Sequence, residues 1–235
     1  MDIVRVVSPV YGENTYVLTT DSAAVVIDPG VKVCSRVQEV LTQLDKPLAA
    51  VLLTHGHADH LWDAAQVAAL GSDIPIYLAG PDLFWLDAPG PGVQLGVGDT
   101  FNAIGGPWQH FDAVLPPSAL FSEGGATLID GLHLRALPAP GHSPGSTMFF
   151  AAGEVNDHGL DLGFEQGLHQ QFCFSGDVIF KGSVGRSDLP HSDSQVMAET
   201  LNMLKLSVDP DTLMLPGHGP TTGWSAELAT NPFLS

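Results

Sequence analysis

Apolar residues fall along this chain in short runs, separated by breaks that contain Gly or Pro. Residues 3–7, 15–20 and 24–27 read as strands, the last apolar throughout and closed by the turn Asp28-Pro29-Gly30. Over 33–44 the spacing becomes helical, with Val33, Val37, Val40, Leu41 and Leu44 on one stripe. A buried strand at 49–53 runs into Thr54-His55-Gly56-His57-Ala58-Asp59-His60, and a helix at 61–70 and a strand at 74–78 follow. The stretch 87–118 is rich in Gly and Pro and reads as long loops, which in a compact domain often carry function. Residues 127–137 read as a hairpin turned at Asp130-Gly131. Strands at 147–150 and 172–175 flank a polar, acidic insertion at 153–170, and a helix at 194–206, a strand at 212–215 and a helix at 224–230 complete the pattern.

Composition narrows what such a chain can do. At 235 residues with 44% hydrophobic content, it is long enough and apolar enough to bury a sizeable core, read here as one domain over 1–235. Only 14% of residues are charged, and 26 acidic against 8 basic residues leave a formal net charge of -18. Binding to a nucleic-acid backbone, or to an anionic membrane, needs clustered Lys and Arg, and the chain has no such cluster. The expected partner is therefore a small-molecule substrate, with the protein a monomer or small homo-oligomer. The N-terminus lacks a basic segment followed by an apolar run, and no apolar run is long enough to span a bilayer. Cys34 and Cys173 are too few for a disulfide framework and have no metal-ligand spacing, so they read as reduced thiols of a cytoplasmic protein.

The chemistry lies in a repeated theme: a strand that ends in a Gly-flanked His or Asp. It recurs in His55-x-His57-x-Asp59-His60, in Pro140-Gly141-His142-Ser143-Pro144-Gly145, in Ser175-Gly176-Asp177 and in Pro216-Gly217-His218-Gly219-Pro220. Strand ends place side chains at one rim of a sheet, where distant segments can build a common site. Three histidines and an aspartate within six residues are costly to bury unpaired. They are accounted for if they share a cation, and imidazole with carboxylate suits zinc, iron or manganese.

With these motifs in order, the sequence resembles the metallo-β-lactamase superfamily, and within it the small glyoxalase II-like hydrolases. The resemblance covers nearly the whole chain and includes Asp28-Pro29-Gly30, Gly185-Arg186-Ser187-Asp188-Leu189-Pro190 and the closing Asn231-Pro232-Phe233. It implies an α/β fold, a four-layer αββα sandwich with metals at one edge. It also implies two divalent ions, zinc first, with iron or manganese as alternatives. His55, His57 and His142 would bind one ion, Asp59, His60 and His218 the other, and Asp177 would bridge. Asp59 and Asp177 would be the catalytic carboxylates, and a metal-bound hydroxide would cleave a thioester such as a hydroxyacyl-thiol. Two further activities fit the same motifs: a mononuclear iron persulfide dioxygenase using the equivalents of His55, His142 and Asp177, and a lactonase or other ester hydrolase.

Other residues carry weaker expectations. Arg186 and Lys181 are candidates for a substrate carboxylate, although an Arg186–Asp188 pair that merely fixes its loop is the plainer reading. Thr54 and Asp28 read as supports of the metal loop. Leu61-Trp62 stand where relatives have small glycines, so Trp62 is expected to narrow the entrance. His110, His133, His158, His169 and His191 read as surface or hydrogen-bonded residues. Only a short stretch follows His218 here, so a counterpart of the basic helical domain with which glyoxalase II grips glutathione is not expected.

Overall fold

The early strands pair into one sheet. In the computed structural model, which describes residues 1–87, 89–93, 95–155 and 171–234, β1 (Asp2–Val7), β2 (Asn14–Thr19) and β3 (Ala24–Ile27) are antiparallel. Helix α1 (Cys34–Leu44) crosses to β4 (Leu48–Leu52), which with β5 (Ile76–Tyr77) continues the sheet in parallel. Two short helices, α2 (Ala58–Leu61) and α3 (Ala64–Ala68), lie between them. Helix α4 (Gly98–Gly105) precedes a second sheet built from β6 (Ala126–Ile129), β7 (Leu132–Pro138), β8 (Thr147–Ala152) and β9 (Gln171–Gly176). A small hairpin, β10 (Ile179–Phe180) and β11 (Ser183–Val184), and helix α5 (Ser194–Ser207) follow. The strands β12 (Leu213–Pro216) and β13 (Thr222–Gly223) extend the second sheet to six, in the order β13-β12-β9-β8-β7-β6, and α6 (Trp224–Thr230) ends the chain.

Strand periodicity explains the layering. Successive side chains point to opposite faces. In β3, Val25 and Ile27 join Ala50 and Leu52 of β4 against Phe149, Phe172, Phe174, Leu213 and Leu215, which are the inner faces of the two sheets in contact. The alternate residues Ala24, Val26 and Val51 face outward and are covered by Val37, Val40 and Leu41 of α1. Behind the second sheet, Met148, Cys173 and Met214 are covered by Met197, Leu201 and Leu204 of α5. The result is an αββα sandwich, in which each Leu, Phe or Val removed from water stabilises the fold by roughly 1.5–3 kcal/mol. Among the described residues, no helix is long and apolar enough to cross a membrane.

Three sequence expectations need correction. The helix read at 61–70 is two short helices, α2 and α3, because the chain turns at Trp62 and Asp63, where the Asp63 N–H donates to the carbonyls of Pro29 and Gly30. The loops read at 87–118 contain α4, whose Phe101 is buried against Trp62, Val10 and Val31. Trp62 is itself 1% exposed within that cluster, so it packs the interior rather than narrowing an entrance. The insertion read at 153–170 lies, from residue 156 onward, outside the described residues.

Candidate metal centre

Seven side chains arrive at one rim from both sheets. β4 ends at Leu52 and releases the loop carrying His55 and His57, and the first turn of α2 carries Asp59 and His60. From the second sheet, the β7–β8 connection supplies His142, the residue after β9 is Asp177, and His218 lies just past β12. Glycine makes the approach possible at two points. A Cβ at Gly217 would run into the Asp177 carboxylate and the His60 ring. Gly141, at φ +132, takes the left-handed backbone that turns His142 inward, and a Cβ there would strike the backbone of Met197 in α5.

The imidazoles converge. The ring of His142 lies 4.9 Å from that of His55 and 4.6 Å from that of His57, centroid to centroid. Nε2 of His218 is 3.2 Å from Asp59 Oδ2 and 3.5 Å from Asp177 Oδ2, and Nε2 of His60 is 3.3 Å from Asp177 Oδ1. Asp177 Oδ2 also lies 3.5 Å from His142 Nε2, so this one carboxylate touches both halves of the cluster. Ligand atoms of His55, His57 and His142 form one group within 4.8 Å of each other, and those of Asp59, His60 and His218 form another.

The outer faces of most of these rings are held, whereas the inner faces of His55, His57 and His142 are not. Nδ1 of His142 is 2.8 Å from the Arg186 carbonyl, Nδ1 of His60 is 3.0 Å from Asp28 Oδ2, and Nδ1 of His218 is 3.2 Å from the Tyr11 carbonyl. Thr54 Oγ1 lies 3.0 Å from His55 Nδ1 and donates to Asp28 Oδ2 at 2.6 Å, while Asp28 Oδ1 accepts the Thr54 N–H. Asp28 and Thr54 therefore support the loop as expected. By contrast, His55 Nε2, His57 Nε2, His142 Nε2 and Asp177 Oδ1 are buried without a hydrogen-bond partner among the described residues. Orphaned buried polar atoms are costly, and the three Nε2 atoms of His55, His57 and His142, drawn together in one group, fit a divalent cation of the kind imidazole and carboxylate bind.

Protonation supports the same fit. Burial pushes the His55 imidazole well down, as do the neighbouring His60, His57 and His142 rings, and burial with His142 pushes His57 down to about 3. Both rings stay neutral, the form that ligates metal. Burial also works to lower His60, but the Asp177 and Asp59 carboxylates hold it well above the ordinary imidazole value. Burial would raise Asp177, but His60 and His218 beside it hold that carboxyl well below the usual range.

Sequence reasoning missed Asp82. This fully buried carboxylate, in the stretch of 3-10 helix Gly80–Leu86, accepts the Gly56 N–H at 2.8 Å, the Gly145 N–H at 2.6 Å and the Ser143 hydroxyl at 2.6 Å. It ties the residue between His55 and His57 to Ser143 and Gly145 in the loop that carries His142. Its local signal, Gly80-Pro81-Asp82, is no more than a turn. Of the candidate substrate residues, Arg186 lines the cleft over the cluster and pairs with Asp188, in line with the plainer reading, whereas Lys181 does not line it. Lys181 sits at the tip of the β10–β11 turn, with its neighbours Phe180 and Ser183 facing the cleft instead. His191 stacks on Phe84 and Trp85 beside the site.

The chain is 30% identical to a probable metallo-hydrolase of Streptococcus pyogenes, with 100% of this chain and 90% of the relative covered. It is 29% identical to the hydroxyacylglutathione hydrolase GloC of Haemophilus influenzae, over 90% of this chain and 87% of that protein. The crystal structure of TTHA1623 in a di-iron-bound form superposes with a TM-score of 0.69 at 32% identity, covering 98% of this chain and 99% of that one. The family model described as the metallo-beta-lactamase superfamily matches residues 9–155. With two mixed sheets between helices and a His/Asp cluster suited to divalent metals at their common rim, the chain belongs to the metallo-beta-lactamase superfamily of metal-dependent hydrolases.

Proposed function

We propose that this protein is a binuclear metal-dependent hydrolase that cleaves a thioester of the hydroxyacyl-thiol kind. The observation that carries the reading is the cluster of unpartnered inner faces, His55 Nε2, His57 Nε2 and His142 Nε2, set beside a second group of Asp59, His60 and His218. In this reading His55, His57 and His142 hold one ion, Asp59, His60 and His218 hold the other, and Asp177 lies between them. Two divalent cations lower the pKa of water and polarise a carbonyl oxygen, which supplies nucleophile and electrophile without a Ser or Cys. The chain's own residues do the positioning. Asp28, Thr54 and the carbonyls of Arg186 and Tyr11 orient the rings of His60, His55, His142 and His218 through Nδ1, so that Nε2 of each faces inward with its lone pair available to a metal. Asp59 Oδ2, with 17% of its side chain exposed and the cleft beside it, is placed to orient an attacking water. The relative named hydroxyacylglutathione hydrolase favours a thioester among the possible esters.

The test measures metal content and two activities on one sample. Two ions per chain with oxygen-independent thiol release from a hydroxyacyl thioester is the expected result. One iron per chain with oxygen uptake on a persulfide would replace this reading by the dioxygenase. Asp177→Ala should lose both metal and activity, and a fully loaded, active variant would remove Asp177 from its place between the ions.

A further inference from the structure

We propose, resting on the hydrolase reading above, that the natural substrate is an uncharged thioester whose thiol arm is neutral and partly apolar, and that the Arg186–Asp188 pair excludes anionic carriers. The cleft over the metal cluster has a volume of about 600 Å³, and its walls away from the cluster are formed by Tyr11, Val97, Phe101, Phe180, Val184 and Leu189. A carboxylate-bearing thiol arm lying on these walls would need a cation there, because a charge moved from water against apolar surface is not compensated.

All eight Lys and Arg residues of the sequence fall within the described residues, so the supply of cations is known. Arg36 pairs with Glu39, Lys46 donates to the Asp21 carbonyl, Lys205 donates to the Leu234 carbonyl, and Arg135 lies over the Phe150 ring. Arg5, Lys32 and Lys181 do not line the cleft. Only Arg186 does, and its fork is already engaged: Nε donates to Asp188 Oδ1 at 2.8 Å and Nη2 to Oδ2 at 3.0 Å. Asp188 thus occupies the Nε/Nη2 edge, one of the two planar edges with which an arginine grips a carboxylate, and sets its own negative charge against that of the guanidinium. The rest of the molecule adds to the effect, since a net charge of -18 raises the energy of an anion on approach.

The experiment compares two thioesters with the same lactoyl group on the metal-loaded enzyme: S-lactoyl-N-acetylcysteamine, which is neutral, and S-lactoylglutathione, which is anionic. The neutral thioester is expected to have the higher kcat/KM by about tenfold or more, the scale on which an uncompensated charge discriminates. Asp188→Asn, a change of an exposed side chain, frees the fork and should shift the ratio toward the glutathione thioester by roughly fivefold, with the shift fading as salt is added. Adding Arg186→Ala to that variant should erase the shift. A wild-type preference for the glutathione thioester, or a large loss of its turnover on Arg186→Ala alone, overturns the assignment while leaving the hydrolase reading in place. Hydrolysis of neither thioester overturns the hydrolase reading and this assignment with it.

Discussion

Asp82 joins two segments that carry ligands in the proposed centre, and its three acceptor bonds run to groups flanking those ligands rather than to the ligands themselves. Its burial raises the carboxyl above its ordinary value, while the Ser143 hydroxyl and the Gly56 and Gly145 N–H groups pull it back down. Removing the carboxylate would leave two buried N–H donors unpaired and free the His55–His57 loop from the His142 loop. Partners at this distance from a metal typically change affinity by about 10–100-fold. Asp82→Ala should therefore weaken the ion held by the three histidines within that range, with little change in the ion held by Asp59, His60 and His218, as read by chelator competition. Asp82→Asn, which keeps one acceptor, should recover part of the affinity, and equal weakening of both ions would count against a local clamp. The proposed ligands were legible in the sequence because His55, His57 and His60, crowded with Asp59 into one short segment, are costly to bury unless a cation is shared among them. Asp82 was not, because a single aspartate after Gly-Pro is indistinguishable from an ordinary turn residue until the fold brings residues 56, 82 and 145 together.

At the level of elements, the departure from the predicted pattern lies where the apolar stripe of 61–70 suggested one helix. The stripe is real, since Leu61, Ala64 and Val67 are all buried. A stripe reports which face is covered and says nothing about a break between turns, which here falls at Asp63. That residue has a task that no local pattern encodes: its Oδ2 accepts the N–H groups of Val33 at 2.8 Å and Cys34 at 3.0 Å, the open donors at the start of α1. Val33, the residue at the cap position of α1, has no side-chain cap of its own. Losing such an acceptor costs about 0.5–2 kcal/mol, so Asp63→Ala should lower stability by that amount in denaturant titrations. The pH dependence has a definite sign. Burial raises the Asp63 carboxyl above its ordinary value, against the pull of the Cys34, Val33 and Lys32 N–H groups. The folded state then holds a proton that the unfolded state has lost, so this residue's contribution falls as pH rises through the window above 3.8. Asp63→Asn should accordingly gain on the parent protein as pH rises above the ordinary carboxyl value. A difference that shrank with rising pH would contradict the burial argument. The strand order across the two sheets was likewise beyond the sequence, because period-two burial says which residues face inward but not which strand lies beside which.

For the whole molecule, the placement of the donors makes metal binding a link between halves. His55, His57, Asp59 and His60 follow β4 of the first sheet, whereas His142 lies in the β7–β8 connection of the second and Asp177 and His218 lie just past its strands β9 and β12. Each group proposed to hold an ion draws on both sheets: His142 completes the first and His218 the second. An ion held this way cannot keep its ligand set if the sheets separate, so its binding free energy is added to the stability of the packed sandwich. At a free metal concentration near 100 times Kd the gain is about 2.7 kcal/mol per site. For a chain of this length that corresponds to a rise in Tm of several degrees per ion, on the scale of about 2–4 °C per kcal/mol. Chelation should therefore lower the cooperative melting temperature as a whole rather than release one loop. His218→Ala should remove roughly the share of the shift that belongs to one ion, while changing Tm in chelator much less. If the metal-dependent shift were absent, or were confined to the exposed loops in hydrogen exchange while β4 and β9 kept their protection, the centre would be attached to one sheet only, and the convergence from both that defines the candidate site would have no energetic consequence.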